Sequence, residues 1–72
     1  MSTRHPERYR QLLLRLREAR LAAGLSQVEA AAALGVYQKH ISKVETGERR
    51  IDPIELLELA DLYGKPLQFF YE

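Results

Sequence analysis

The sequence predicts an all-α fold of five short helices. Three observations predict it. Apolar residues recur at helical rather than alternating spacing, the four glycines fall just past the ends of periodic segments, and two Ser/Asp-x-x-Glu start signals precede such segments. No β-branched alternating run exists, so no sheet is expected.

The first helix is expected over about residues 6–23. Wound at about 100° per residue, Tyr9, Leu12, Leu13, Leu16, Ala19, Arg20 and Ala23 fall on one side. Arg20 is the odd member of that arc, because a buried guanidinium is costly unless it is paired. Gly24 stops the helix. Ser26 and Glu29 form a capping box that starts the second helix, whose Ala30, Ala31 and Leu34 face inward and which Gly35 ends. The third spans about residues 38–45 and closes at Gly47. The fourth opens with Asp52 as N-cap, Pro53 at the first helical position and Glu55 completing a second capping box. Its apolar residues are Ile54, Leu56, Leu57, Leu59, Ala60 and Leu62, and Gly64 terminates it. A short fifth helix holding Leu67, Phe69, Phe70 and Tyr71 follows Pro66.

A chain of 72 residues makes one small domain with a thin core. It has no cysteine, which removes disulfides, thiolate nucleophiles and thiolate metal ligands. No apolar run reaches membrane-spanning length and no signal peptide is visible, so a cytoplasmic protein is the expectation. The net charge is only +1, but it is segregated. Residues 1–20 carry six Arg against two Glu, whereas residues 51–72 carry five acidic residues against Lys65 alone. Such a field orients a domain on a polyanion; it is equally what solvated helix faces produce.

The third helix carries the functional information. Tyr37, Ile41 and Val44 share one side and are expected to face the core, with Glu45 at the edge of that side. Opposite them lie Lys39, Ser42 and Lys43, flanked by Gln38 and His40. Gln bonds bidentately to adenine N6 and N7, and Lys donates to guanine O6 and N7 or to phosphate. A capped helix, a tight Gly turn and this ridge are what a helix placed in the DNA major groove requires.

The stretch from Leu21 to Gly47 reads Leu-x-x-Gly-Leu-Ser-Gln-x-x-x-Ala-x-x-Leu-Gly-Val-x-Gln-x-x-Ile-Ser-x-x-Glu-x-Gly. It resembles the Xre family of Cro/repressor-type, lambda-repressor-like helix-turn-helix proteins of bacteria and phages. The resemblance continues through Arg49-Arg50, Leu-Leu-x-Leu-Ala at 56–60 and Phe-Phe at 69–70, covering about residues 12–71. It implies that the third helix reads DNA, with Gln38, Lys39 and Lys43 at base-reading positions. Gln27 is implied to touch a phosphate and to buttress Gln38. Ser26, Thr46, Arg49 and Arg50 match positions near the sugar-phosphate backbone. It also implies a structural Arg20–Glu45 ion pair, which meets the need the helical wheel shows independently: an Arg on a core face and a Glu on a core edge. Dimer contacts are implied at the C-terminal aromatics, so Leu67, Phe69, Phe70 and Tyr71 are either core or dimer seam, with at least one aromatic facing a second subunit.

The chain departs from the family at three places. Tyr37 stands where Ser or Thr usually caps the third helix; its ring is expected to pack inward, the alternative being a hydroxyl on phosphate. Ala30 stands where Leu is usual, so Tyr37 or Phe69 must fill the space. Residues 1–8, with Arg4, His5 and Arg8, extend beyond the family core of residues 9–72 as a flexible arm, either disordered or lying on DNA.

Other chemistry finds little support. His5 and His40 are distant in sequence, without cysteines, so no metal site is expected. His40, when charged, can donate to phosphate. Glu55, Glu58 and Asp61 read as a solvated acidic face, and no nucleophile motif or phosphate loop is present, so neither an enzyme nor a cofactor is expected. The expected function is a sequence-specific, repressor-like DNA-binding regulator acting as a homodimer on double-stranded DNA. The alternatives are an antitoxin-type regulator with a toxin partner, for which Leu14 and Leu21 offer a contact stripe, and a protein-interaction module that has kept the fold without DNA.

Overall fold

A computed structural model of the chain describes residues 6–71. Four α-helices follow one another: α1 (Pro6–Ala22), α2 (Gln27–Leu34), α3 (Gln38–Thr46) and α4 (Pro53–Tyr63). The fifth element, Leu67–Tyr71, is a 3₁₀ turn rather than an α-helix. Five residues after a proline are too few to repay α-helical nucleation, and the tighter i→i+3 pattern, begun by Phe69 N–H on the Pro66 carbonyl at 3.0 Å, closes the chain instead. Among the described residues there is no strand. Helix α1 begins at Pro6, where the first helix was expected, so residues 6–8 of the expected arm are helical. Residues 1–5, with Arg4 and His5, lie outside the described residues.

Local chemistry sets the boundaries. At α2 the Glu29 N–H donates to Ser26 Oγ at 3.0 Å, and the Ser26 N–H donates to Glu29 Oε1 at 2.8 Å, which completes the capping box. Gly35 then takes a φ of 74°, a left-handed conformation in which its amide returns to the α2 carbonyls and the chain turns into α3. At α4 only half of the expected box forms. The Glu55 N–H reaches Asp52 Oδ1 at 2.8 Å, but the Glu55 carboxylate is turned toward His40.

The core is one cluster to which every element contributes: Leu16 and Ala19 from α1, Ala30 and Ala31 from α2, Ile41 and Val44 from α3, Leu56, Leu59, Ala60 and Tyr63 from α4, and Phe70. Phe70, 2% exposed, closes it from the C-terminal side, and Phe69 meets it edge-on with ring centroids 5.3 Å apart. Phe70 therefore belongs to this domain's interior and is not available to a second subunit. Of the aromatics expected to fill space near Ala30, Phe69 packs on the core and Tyr37 does not. Ile54 and Leu57 of α4 face outward. Tyr9 ties the start of α1 to the segment before α4, its hydroxyl accepting from the Ile51 N–H at 3.3 Å.

Candidate nucleic-acid interface

Helix α3 presents a polar ridge because α1 and α2 cover its other side, where Ile41 and Val44 are buried. Lys39, Lys43 and Gln38 are exposed, and Ser42 is half-buried. Lys39, Lys43, His40, Arg49 and Tyr37 border one shallow hollow beside the ridge. Two lysines and an arginine around one hollow suit an anion's oxygens.

The ridge is held by a chain of hydrogen bonds that starts in the interior. Arg20 donates from Nε to Glu45 Oε2 at 2.7 Å and from Nη2 to Glu45 Oε1 at 3.0 Å, a bidentate pair whose side chains are 7% and 8% exposed. Its third nitrogen, Nη1, donates to the Leu25 carbonyl at 3.0 Å. One guanidinium thus joins α1, the link into α2, and the last turn of α3. The Glu45 hydrogen bonds, working against desolvation, push the Arg20 pKa still higher than that of an ordinary guanidinium. Gln27 Nε2 adds a second donor to Glu45 Oε1 at 3.1 Å. Gln27 Oε1 in turn accepts from Gln38 Nε2 at 2.6 Å. An amide nitrogen has two hydrogens, so Gln38 keeps one N–H and its carbonyl oxygen for another partner.

Tyr63 lies beneath this pair. Burial pushes its hydroxyl up to about 12, the negative charge of Glu45 adds to the shift, and Arg20 opposes it.

The remaining candidate residues divide. Ser26 and Gln27 stand at the amino end of α2, where the helix dipole favours an anion. Thr46 donates its hydroxyl to the Lys43 carbonyl at 3.2 Å, and Arg49 is exposed with its backbone amide on the same carbonyl at 3.1 Å. Arg50 stacks on the Tyr9 ring, its guanidinium carbon 4.3 Å from the centroid.

Two expectations fail. Tyr37 does not pack inward; it is 87% exposed. The helical wheel misplaced it because Tyr37 is the N-cap, with extended φ and ψ of −82° and 151°, and so lies outside the helix whose period was applied to it. Its side chain caps nothing. The second concerns Glu55: its carboxylate engages His40 Nε2 of α3, and both side chains are largely buried. Glu55 accordingly leaves the solvated acidic face on which the helical wheel put it. Sequence reading offered no signal for this contact, since the partners lie on separate helices and each also fits a surface role.

Among the described residues no group of three or more His, Asp or Glu could hold a metal ion, and no helix is long and apolar enough to cross a membrane. Leu14 and Leu21 are half exposed on the outer face of α1, together with Gln11, Arg17 and Glu18. Leu67 and Tyr71 are exposed on the C-terminal turn.

The comparison with known proteins is consistent with this geometry. A family model described as helix-turn-helix matches residues 16–70. Curated relatives include uncharacterized HTH-type transcriptional regulators of Sinorhizobium medicae (strain WSM419) and Rhizobium meliloti (strain 1021). Each is 31% identical over 58 residues, which is 81% of this chain and 42% of theirs. The chain thus spans less than half the length of these relatives.

Proposed function

The chain belongs to the helix-turn-helix family, in its lambda-repressor type, and from that premise we propose that it is a sequence-specific DNA-binding transcriptional regulator. The observation that carries the proposal is the chain from Arg20 through Glu45 and Gln27 to Gln38. It fixes an amide on an exposed ridge, with two lysines beside it. A merely solvated helix needs no such support. Held by Gln27, Gln38 presents one donor and one acceptor, the pair that adenine N7 and N6 require. Lys39 and Lys43 donate to guanine edges or to phosphate. Ser26 and Gln27 at the α2 terminus, Tyr37, Thr46, Arg49 and Arg50 lie along the sugar-phosphate backbone, where Tyr37 offers its hydroxyl.

A domain this small reads only a few base pairs, so the active species is a homodimer, acting as a repressor. Leu67 and Tyr71 supply apolar surface for the second copy, and half-sites lie about 34 Å apart, one helical turn.

The test is selection of bound duplexes from a random library by the purified protein at moderate salt. Enrichment of a pseudo-palindrome is expected. Absence of any enriched sequence overturns the proposal and favours a protein-interaction module, for which the half-exposed Leu14 and Leu21 are the available surface.

A further inference from the structure

Among the described residues three side chains of α3, Gln38, His40 and Glu45, have polar ties to other helices, and their placement around its axis differs. Gln38 is held by Gln27 and Glu45 by Arg20. At about 100° per residue these two positions fall on the same side of the helix, at its two ends. Two ties on one line fix the position of a rod more firmly than its roll about that line, which the apolar packing of Ile41 and Val44 and the turns at its ends oppose. His40 falls nearly opposite, and its tie, to Glu55, is the polar contact between α3 and α4 among the described residues. The His40 ring also lines the hollow bordered by Lys39, Lys43 and Arg49, so Glu55 stands behind the surface at which a DNA backbone would arrive.

We propose that Glu55 is a positioning residue for base reading: through His40 it sets the roll of α3, and with it the direction in which Lys39 and Lys43 point. The inference rests on the DNA-reading proposal above. Glu55 itself touches no base. A carboxylate on the helix behind also keeps the His40 Nε2 donor off phosphate, where it would strengthen binding to every sequence alike. The start of α4 survives the loss of this carboxylate, because Asp52 caps the Glu55 backbone amide whatever the side chain.

The experiment measures binding of wild type, Glu55→Ala, Glu55→Gln, His40→Ala and the double alanine variant to the selected operator and to an unrelated duplex, with thermal melting alongside. Glu55→Ala is expected to lower the operator-to-unrelated affinity ratio about tenfold, the order of one lost hydrogen bond to a charged group. Glu55→Gln, which still accepts from His40, retains most of the ratio. In the His40→Ala background, removing Glu55 costs no further discrimination, because contacting residues couple. A tenfold loss that follows Glu55 with or without His40, or an unchanged ratio in Glu55→Ala, overturns the proposal. Should Glu55→Ala melt too low to assay, His40→Ala, which removes the same tie, must lower the ratio on its own, and an unchanged ratio there overturns the proposal equally. A wild type without operator preference overturns the DNA-reading proposal and this one with it; a selective wild type with an indifferent Glu55 overturns this one alone.

Discussion

The Gln38 side-chain amide donates to the Gln27 carbonyl oxygen at 2.6 Å, so the first residue of α3 takes its side-chain orientation from the first residue of α2. Gln27 is oriented in turn by Glu45, and Glu45 by the buried Arg20. A side chain on the surface is thereby held by contacts that lead into the interior, the arrangement that would preorganise it for the reading role proposed above.

Removing the intermediary separates orientation from fold. Gln27→Ala is expected to melt near the wild-type temperature, since its amide is at the domain's edge, yet to lose base discrimination at the position read by Gln38. The loss is about 1–3 kcal/mol, the value of one bidentate base contact. Competition binding between the selected operator and a variant at that base pair measures it; equal discrimination by mutant and wild type would refute the buttress.

Glu45→Ala acts on stability. It leaves the Arg20 guanidinium buried without its counter-charge and is expected to cost about 3–5 kcal/mol in denaturant unfolding. Replacing both partners by apolar residues of similar volume, Arg20→Met with Glu45→Leu, should restore much of that stability but not DNA binding, because Gln27 would still lack its acceptor.

Alkaline pH should weaken the fold through Tyr63. Its folded pKa, about 12, lies above the unfolded value near 10.0. Above pH 10 the unfolded chain therefore releases a proton that the folded chain retains, so stability is full below pH 10 and declines as pH rises toward 12. Tyrosinate absorbance during alkaline titration should show a late step, and Tyr63→Phe should remove it.

Salt separates backbone contacts from base contacts. Arg49→Ala is expected to weaken operator and unrelated DNA by a similar factor and to flatten the log–log salt slope by about 0.9, the contribution of one neutralised phosphate. Lys43→Ala is expected to relax sequence preference as well. Anisotropy titrations at several salt concentrations distinguish the two.

Gly47 is constrained by two separate requirements. Its φ is 87°, and an added Cβ would lie 3.2 Å from Leu13 Cδ1. Gly47→Ala is expected to cost about 1–2 kcal/mol for the left-handed conformation alone. Gly24, with a similar φ but nothing nearby, should show only that conformational cost. Thermal melts of the two variants compare them directly.

Helix starts, helix stops and the apolar faces of the long segments could be read from the amino-acid sequence, as could the need of Arg20 for a partner. Each depends on residues within about one or two helical turns, so caps, glycines and the 3.6-residue period encode them locally. The family motif carried the helix-turn-helix assignment in the same way. The same motif implied that Gln27 buttresses Gln38, which the 2.6 Å bond bears out. Tertiary structure decided the rest: that Tyr37 points outward, that His40 is taken by Glu55, and that Gln27 carries the Gln38 contact on to Glu45. These contacts join helices across 15 and 18 residues, or depend on where a helix begins. They follow from the approach of whole helices as their apolar faces are buried, and no single helix's periodicity contains that information.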